Sequence, residues 1–340
     1  MASLIGKIIN KRYRVEESLG RGGMAEVYRV FDQERGVTLA MKVLREELAE
    51  DRVFLRRFQR EAQNLAKLQH PNIVRFYGLE QEGALAFILM DYIEGLTLRR
   101  VIFDAGGPLP MQRVLAILQP VCSALNYAHR QGIVHCDLKS SNIMVDKNDK
   151  VYLTDFGIAR MTDMATSTLI GAGTPAYMAP ELILGKDPTP PSDIYALGVV
   201  LFEMLSGGER PFTGERADIT GTTAEKVRWE HLHTQPLSIK KWNGMINDRF
   251  DEIINRCLGK EVGRRYKNSL ELFSVISNSV ENLQNIQQIN EVDDITNELK
   301  DVDSDTYKRI MFGVKQMFTD TYPYSIKIEN NENDNQEEKP

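Results

Sequence analysis

Residues 135–142 read HCDLKSSN, and residues 155–157 read DFG after a short connection. The first stretch brings Asp137, Lys139 and Asn142 close together, and the second begins with an aspartate. A carboxylate can accept a proton, carboxylate and amide oxygens bind hard divalent cations, and an ammonium group offsets negative charge. An isolated acidic residue is usually a solvated surface group, but two such motifs in this order predict a single catalytic site.

Phosphoryl transfer is the chemistry that this set of groups matches. It asks for a carboxylate that orients a hydroxyl and accepts its proton, for metal ligands that bridge the phosphates, and for positive charge on the transferred group. Asp137 meets the first requirement, Asn142 with Asp155 the second, and Lys139 the third. The sequence therefore predicts a phosphotransferase site built around these four side chains.

A glycine-rich turn lies near the N-terminus, where residues 19–27 read LGRGGMAEV between two strand-like runs. Such a loop is weak evidence by itself. A dinucleotide-binding fingerprint leads from a strand into a helix, whereas here the chain continues as the strand-like run EVYRVF at residues 26–31. The pattern predicts a hairpin whose backbone can fold over phosphates.

A lysine interrupts the apolar strand-like run TLAMKV at residues 38–43. Lys42 needs a partner there, because an unpaired charge beside apolar neighbours is costly. In the helix predicted over about residues 53–68, Glu61 interrupts an apolar stripe in the same way. We therefore predict an ion pair between Lys42 and Glu61, with Lys42 also reaching the α- and β-phosphates of a nucleotide. The alternative, a solvated glutamate unrelated to Lys42, fits the position poorly.

Two further segments complete the set of motifs: GTPAYMAPE at residues 173–181 and SDIYALGVVLFEML at residues 192–205. With the glycine-rich turn, HCDLKSSN and DFG, they make the chain resemble the eukaryotic-type protein kinases, and above all the bacterial serine/threonine kinases, over roughly residues 13–272. The resemblance implies an α+β fold of two lobes, a small antiparallel-sheet N-lobe with one main helix and a larger, mainly helical C-lobe. The apolar periodicity agrees, since it is strand-like over about 13–90 and helical from about 114 to 280.

The expected organisation follows from these patterns. We predict a lead-in over residues 1–12, an N-lobe over 13–90, a hinge over 91–95, a C-lobe over 96–280, an appended helical tail over 281–328 and an acidic disordered end over 329–340. The catalytic domain as a whole occupies 13–280 in this interpretation. The tail is polar with a weak amphipathic pattern, which predicts one or two helices, and the acidic, Asn-rich end cannot bury a core. Their role stays open, as does the role of the long segment 214–242.

The resemblance also implies the parts of a nucleotide site. ATP is expected between the lobes with two Mg²⁺ ions, or Mn²⁺ as a substitute, on Asn142 and Asp155. The expected catalytic residues are Asp137, Lys139, Lys42 and Glu61. The residues expected around the nucleotide are Leu19, Gly20, Gly22, Gly23, Val27, Ala40, Lys42, Met90 as gatekeeper, the backbone of Asp91 and Ile93, and Met144. Asp193 is expected to brace the catalytic loop, and Glu181 to pair with Arg265.

The implied activity is transfer of the γ-phosphate of ATP to serine or threonine hydroxyls of proteins, with the capacity for autophosphorylation. Lys139, two residues after the predicted base, and Thr174 in GTPAYMAPE follow the serine/threonine pattern of the family rather than the tyrosine pattern. A pseudokinase that binds ATP without transferring phosphate is the alternative, but such a protein typically lacks a catalytic or metal-binding group, and none is missing here. A small-molecule kinase is disfavoured by GTPAYMAPE, which shapes a peptide-binding surface in the family.

The sequence departs from the family at Cys136, where many kinases have an arginine directly before the catalytic aspartate. That arginine normally binds a phosphorylated activation loop. We therefore expect activity to depend only weakly on phosphorylation of Thr166, Ser167 or Thr168. For Cys136 itself an inert packing thiol is favoured over a redox role, because nothing in the sequence lowers the pKa of its thiol.

Composition limits the partners. The net charge of −6, from 42 basic and 48 acidic residues, offers no basic excess for nucleic acid or an anionic membrane surface. Cys122, Cys136 and Cys257 are too few and too scattered for a disulfide framework, which indicates a cytoplasmic location. No signal peptide or membrane segment is predicted, because no apolar stretch is long enough to span a bilayer. Protein substrates are the expected partners, while their identity and the oligomeric state stay open.

Overall fold

A computed structural model describes residues 4–23, 25–156, 175–244 and 246–280, without the side chains of residues 52, 57, 61 and 64. The chain divides into two compact units, Met1–Ser279 and Val280–Pro340. Of the second unit only Val280 is described, so the predicted helical tail and acidic end lie outside the described residues. Within the described helices, no stretch combines the length and the apolar character that a membrane span requires.

The N-lobe is built on an antiparallel sheet of six strands in the order β1-β2-β3-β4-β6-β5. The strands are β1 Ile8–Ile9, β2 Tyr13–Arg21, β3 Ala25–Asp32, β4 Val37–Leu44, β5 Phe76–Glu82 and β6 Leu85–Asp91. The glycine-rich turn joins β2 to β3 as the predicted hairpin, with Gly20 opposite Val27. In β4, Lys42 lies opposite Val27 on one side and Ile88 on the other, so the sheet holds the lysine in its middle.

One face of this sheet forms the core of the N-lobe. Its buried side chains alternate along the strands, as the period of two requires, and include Val30, Met41 and Phe87. Tyr13 packs edge-on against Phe87, with ring centroids 6.0 Å apart, and its hydroxyl donates to Glu80 at 2.7 Å. The sheet therefore keeps a rigid shape beneath the strands that carry the expected nucleotide residues.

Two helices follow β4, the short α1 Glu46–Glu50 and α2 Arg52–Leu65. The latter matches the single main helix predicted for this lobe. It packs against β5 through an apolar stripe that includes Phe58 and Leu65, both buried. Stripes of this kind form because residues three and four apart share one face of a helix.

The C-lobe is mainly helical, as predicted, and carries a small sheet of three strands in the order β7-β8-β9. The strands are β7 Gly95–Thr97, β8 Ile143–Asp146 and β9 Val151–Leu153. The helices are α3 Leu98–Ala105, α4 Met111–Arg130, α5 Pro180–Ile183, α6 Pro190–Ser206, α7 Thr223–His233, α8 Asp248–Cys257 and α9, described over 269–280.

Helix α6 is the centre of the C-lobe. It is buried on every side from Ser192 to Ser206, and a helix that is apolar all round belongs in a core rather than on a surface. Gly198 allows α8 to approach closely, because a Cβ at this position would lie 2.5 Å from the Cβ of Cys257. The helix begins with Pro190 and Pro191 in its first turn, where a missing N–H group is tolerated.

Candidate active site

The catalytic loop is anchored to helix α6 by one buried carboxylate. Asp193 accepts hydrogen bonds from the backbone N–H groups of His135, at 2.7 Å, and Cys136, at 2.9 Å, and its Oδ2 lies 2.7 Å from Nε2 of His129. Cys136 has a φ of 64°, a left-handed conformation that is costly for a residue with a Cβ. The hydrogen bonds to Asp193 hold this turn in place, as the resemblance implied for the aspartate.

His135 connects the loop to the DFG segment. Its ring stacks on Phe156 with centroids 4.4 Å apart, and its Nε2 lies 3.1 Å from the carbonyl oxygen of Thr154. Because a carbonyl only accepts, Nε2 carries the proton in this contact. Burial lowers the pKa of His135, so the ring stays neutral near pH 7.

Three predicted side chains of the first motif contact one another. Asp137 accepts a hydrogen bond from Nζ of Lys139 at 2.7 Å, and the side-chain nitrogen of Asn142 donates to the carbonyl oxygen of Asp137 at 2.8 Å and to its Oδ2 at 3.1 Å. The carboxylate of Asp137 is therefore oriented from two sides and is still partly exposed, at 27%. A partly open, fixed carboxylate is what a general base requires.

Asp155, the first residue of DFG, contacts the lysine of the N-lobe sheet. Nζ of Lys42 lies 2.5 Å from Oδ1 of Asp155. Burial raises the pKa of Asp155, but the charge and hydrogen bond of Lys42 outweigh it, so the pKa lies below its usual range and the group is ionised. Asp155 also has a left-handed φ of 59°, which turns its side chain toward the cleft at a conformational cost.

The predicted Lys42–Glu61 ion pair stays a prediction. Glu61 lies in helix α2, but its side chain is outside what the structure describes. The carboxylate that the structure places on Lys42 is Asp155, which follows Lys42 by 113 positions in the chain. Sequence reasoning missed this contact, because no local pattern links residues so far apart.

The residues expected around adenine come from both lobes, and their role stays a prediction. Val27 and Ala40 lie in β3 and β4 of the N-lobe sheet, and Met144 lies in β8 of the C-lobe. Met90, the expected gatekeeper, pairs with Ala40 across β4 and β6 and is 5% exposed. The N–H of Asp91 donates to the carbonyl oxygen of Arg75 at 3.0 Å, so the predicted contact of Asp91 with adenine would have to use its carbonyl group.

The glycine-rich turn is held by a backbone hydrogen bond. The N–H of Gly22 donates to the carbonyl oxygen of Ala25 at 2.8 Å, which closes the turn. Among the described residues that are not their chain neighbours, none has a heavy atom within 4 Å of the position of a Cβ on Gly20 or Gly23, which agrees with the predicted approach of phosphates to this backbone. Leu19 begins the turn and is 40% exposed.

A divalent cation fits the donors of this site. Asn142 uses its amide nitrogen on Asp137, and its Oδ1 makes no hydrogen bond to any described residue. Asp155 is ionised and has a second carboxylate oxygen beyond the one that Lys42 contacts. Amide and carboxylate oxygens are the ligands that hard cations prefer. Asn142 and Asp155 would therefore hold the metal, which would neutralise phosphate charge.

Below the site, the predicted Glu181–Arg265 contact is present and buried. Both carboxylate oxygens of Glu181 accept from the guanidinium, at 2.8 and 2.7 Å, and Ser192 donates to the same carboxylate at 2.7 Å. A bidentate contact of this kind is stronger than a single hydrogen bond between an arginine and a carboxylate. It ties the end of GTPAYMAPE to the late part of the domain.

A further buried chain of hydrogen bonds was missed by the sequence reasoning. Ser140, in the catalytic loop, lies 3.1 Å from the hydroxyl of Tyr177, which donates to Oε1 of Glu203 at 2.6 Å. The signal in the sequence was a glutamate inside the apolar run VVLFEML at residues 199–205. Thr174 and the segment with Thr166, Ser167 and Thr168 lie outside the described residues, so the predictions for them stay predictions.

Comparison with known protein families gives a match over most of the chain. The family profile described as protein kinase domain matches residues 13–275. Serine/threonine-protein kinase PrkC of Bacillus subtilis is 40% identical over 271 residues, which cover 79% of this chain and 40% of PrkC. Serine/threonine-protein kinase PknB of Mycolicibacterium smegmatis is 37% identical over 272 residues, which cover 78% of this chain and 42% of PknB. The chain thus spans about two fifths of the length of these curated relatives.

Solved structures agree with the fold. The crystal structure of the Mycobacterium tuberculosis PknI kinase domain superposes with a TM-score of 0.64 at 29% identity, covering 81% of this chain and 99% of that one. Another crystal structure of the same kinase domain gives a TM-score of 0.66 at 29% identity and covers 82% of this chain.

Proposed function

The chain belongs to the protein kinase family, and from that membership we propose that it transfers the γ-phosphate of ATP to serine and threonine hydroxyls of proteins. The observation that carries the proposal is the cluster in the cleft, where Asp137 is held by Lys139 and Asn142, and Asp155 is held by Lys42. The activity and the protein substrates are stated as a proposal, because this chain spans only about two fifths of the length of the curated relatives.

In the proposed mechanism Asp137 orients the acceptor hydroxyl and accepts its proton as the oxygen attacks phosphorus. Lys139, 2.7 Å from Oδ2 of Asp137, brings a positive charge to the place where negative charge gathers on the transferred group. Lys42 lies at the same end of the cleft and can contact the α- and β-phosphates. The chain thus supplies orientation and electrostatic stabilisation, which are the main protein contributions to phosphoryl transfer.

We propose Mg²⁺ as the divalent cation, with Mn²⁺ as a substitute. Asn142 and Asp155 would hold it through oxygen atoms, and when bound it would offset the charge of the ATP phosphates. The contact with Lys42 supports this role, because it keeps the carboxylate of Asp155 ionised and ready to bind a cation.

We propose specificity for serine and threonine, autophosphorylation and a cytoplasmic location for the domain. Lys139 follows the serine/threonine pattern, and the names of the curated relatives agree with it. Cys122, Cys136 and Cys257 form no disulfide with one another, which supports a reducing compartment. The pseudokinase alternative is not favoured, because every group that it would lack is present in the sequence.

The test is transfer of radiolabel from ATP with Mg²⁺ to the protein itself and to a generic basic protein, followed by phosphoamino-acid analysis. Wild type is compared with Asp137→Asn, which keeps the shape of the side chain but removes the base. We expect label on serine or threonine, and a loss of about 10²–10⁴-fold in the variant, the range usual for general-base positions. ATP binding without any label in wild type would contradict the proposal.

A further inference from the structure

The glycine-rich turn is attached to the end of strand β4 by an arginine. Arg45 directly follows Leu44, the last residue of β4, and Leu44 lies opposite Ala25, the first residue of β3. Nη2 of Arg45 donates to the carbonyl oxygen of Gly22 at 3.2 Å. The side chain therefore joins the turn that is predicted to bind phosphates to the strand that carries Lys42.

The backbone of Arg45 is itself held in place. Its carbonyl oxygen accepts hydrogen bonds from the N–H groups of Leu48, at 3.1 Å, and Ala49, at 3.0 Å, which belong to helix α1. The residue thus lies between the end of a strand and the first turn of a helix. Its side chain reaches the glycine-rich turn from a backbone position that both elements fix.

Glu26, at the start of β3, is a carboxylate that could compete for this arginine. Its pKa is lowered by the hydrogen bond from Tyr28, and the charges of Arg21 and Arg45 act in the same direction. However, Oε1 of Glu26 lies 2.8 Å from Nε of Arg21, and Oε2 accepts from the hydroxyl of Tyr28 at 2.5 Å. Both oxygens are engaged by other groups, which leaves the guanidinium of Arg45 to the carbonyl of Gly22.

This carbonyl belongs to the peptide that joins Gly22 to Gly23. Because the C=O and N–H groups of a trans peptide point in opposite directions, a donor on the carbonyl of Gly22 also sets the direction of the N–H of Gly23. Glycine adopts positive and negative φ with similar ease, so a peptide between two glycines can flip at little cost. The N–H of Gly22 is already bound to the carbonyl of Ala25, at 2.8 Å. The group whose direction depends on Arg45 is therefore the N–H of Gly23.

We propose that Arg45 is a positioning residue for ATP, because it fixes the peptide between Gly22 and Gly23 so that the N–H of Gly23 is held ready for a phosphate. The inference rests on the proposed function, since it concerns the nucleotide site of that activity. Backbone N–H groups form good phosphate sites when their directions are fixed in advance, because less conformational freedom is then lost on binding. Arg45 performs this role without touching the nucleotide.

The role predicts an effect that depends on the phosphates. Adenosine has the base and the ribose of ATP but no phosphate, so its affinity should not depend on the direction of the N–H of Gly23. Loss of the Arg45 side chain should weaken the binding of ATP and leave the binding of adenosine unchanged. In the transfer reaction the KM for ATP should rise by a larger factor than kcat falls.

The experiment measures binding first, so that it does not depend on turnover. Displacement of a fluorescent ATP analogue in the presence of Mg²⁺ gives the affinities of ATP and adenosine. Arg45→Met keeps the stem of the side chain but removes the charge and the donors, whereas Arg45→Lys keeps a charge and a donor. Arg29→Met is the matched control, because Arg29 belongs to the same hairpin and its carboxylate neighbours, Glu16 and Glu17, lie in β2. Thermal unfolding reports whether each variant is folded.

We expect Arg45→Met to bind ATP about threefold to tenfold more weakly than wild type, which is the usual effect of one hydrogen bond expressed as a change in affinity. Its affinity for adenosine should equal that of wild type. Arg45→Lys should recover part of the loss, because an ammonium group can donate to the same carbonyl. Arg29→Met should bind both ligands as wild type does.

An unchanged affinity for ATP in Arg45→Met would overturn the inference. So would an equal loss for ATP and adenosine, which would indicate general damage to the site, or an equal loss in Arg29→Met, which would indicate an effect of the charge of the lobe. A phosphate-dependent loss in a protein that transfers no phosphate would leave the inference standing and contradict the proposed function. Transfer by wild type, with the affinity for ATP unchanged in Arg45→Met, would do the reverse.

Discussion

Lys42 and Asp155 form an ion pair in which each residue compensates the charge of the other. The lysine stands in the middle of an apolar sheet, where its charge needs compensation, and the carboxylate stands in a left-handed turn that points it into the cleft. Their contact of 2.5 Å meets both needs and keeps Asp155 ionised. Each residue would be costly without the other, because removing one partner leaves a poorly solvated charge.

Replacing this lysine by methionine tests its role in transfer. Lys42→Met keeps the length and the apolar stem of the side chain but removes the charge that stabilises the phosphates. We expect turnover to fall by about 10²–10³-fold, the usual cost of losing one preorganised charge or donor. Radiolabel transfer measures the loss, and circular dichroism checks that the fold is retained. A folded variant with full turnover would show that Lys42 has no part in the chemistry.

At the scale of elements, helix α7 is attached to the C-lobe through a buried histidine. His231 is fully buried, and its Nδ1 lies 2.7 Å from the hydroxyl of Tyr195 in helix α6. Its ring also packs on Phe212, with centroids 4.5 Å apart. Burial, together with the charge of Lys260, lowers the pKa of His231 to about 3. The packing of this helix therefore requires the neutral form of the ring.

This attachment predicts a loss of stability in acid. Between the ordinary histidine pKa of 6.5 and the folded value of about 3, the unfolded chain binds a proton at His231 that the folded chain does not. The free energy of unfolding should therefore fall as the pH falls below 6.5, by about 1.4 kcal/mol for each pH unit and about 2 kcal/mol by pH 5.

His231→Gln removes this proton uptake while keeping a polar side chain of similar size. Urea unfolding of both proteins at pH 7 and pH 5 gives the difference. We expect wild type to lose more stability than the variant between the two pH values, because His135 and the other titrating groups are common to both proteins. An equal loss in the two proteins would show that His231 titrates normally in the folded state.

For the molecule as a whole, the two lobes are joined by more than the hinge. The N–H of Val74 donates to the carbonyl oxygen of Leu153 at 2.9 Å, and the N–H of Leu153 donates to the carbonyl oxygen of Asn72 at 2.8 Å. The side chain of Asn72 also donates to the carbonyl oxygen of Val151 at 2.9 Å. The segment before β5 is therefore hydrogen-bonded to β9 of the C-lobe, two residues before the metal-binding Asp155 proposed here.

The activity of the whole domain is expected to depend only weakly on phosphorylation of the activation segment. Cys136 carries no charge at the position where the family resemblance implies an arginine, so we expect a phosphate on the activation segment to lack that cation as a partner. We expect the triple variant with Thr166, Ser167 and Thr168 all changed to alanine to keep most of the turnover of wild type. A steady-state kinase assay on dephosphorylated protein measures it. A loss of two orders of magnitude would contradict the expectation.

Much of the fold could be predicted from local patterns. A turn signal within a few residues predicts the hairpin after Leu19, and apolar periodicity predicts helix α2 and the buried helix α6. Such signals are local, so they do not depend on how the rest of the chain is packed. The match to the protein kinase family confirms the two-lobed fold that the resemblance implied and with which these patterns agree. Part of the proposed site could also be predicted from the sequence, because Asp137, Lys139 and Asn142 lie within six consecutive residues.

The sequence by itself determined which chemical groups are present and the order of the elements that carry them, because side-chain chemistry and helix or strand periodicity are local properties. Only the tertiary structure decided which distant groups meet: Lys42 with Asp155, Asp193 with the catalytic loop, and Ser140 with Tyr177 and Glu203. That Oε2 of Glu203 has no hydrogen-bond partner among the described residues is likewise a result of tertiary packing. Contacts between such distant positions depend on how whole elements pack, and no short segment of the chain contains that information.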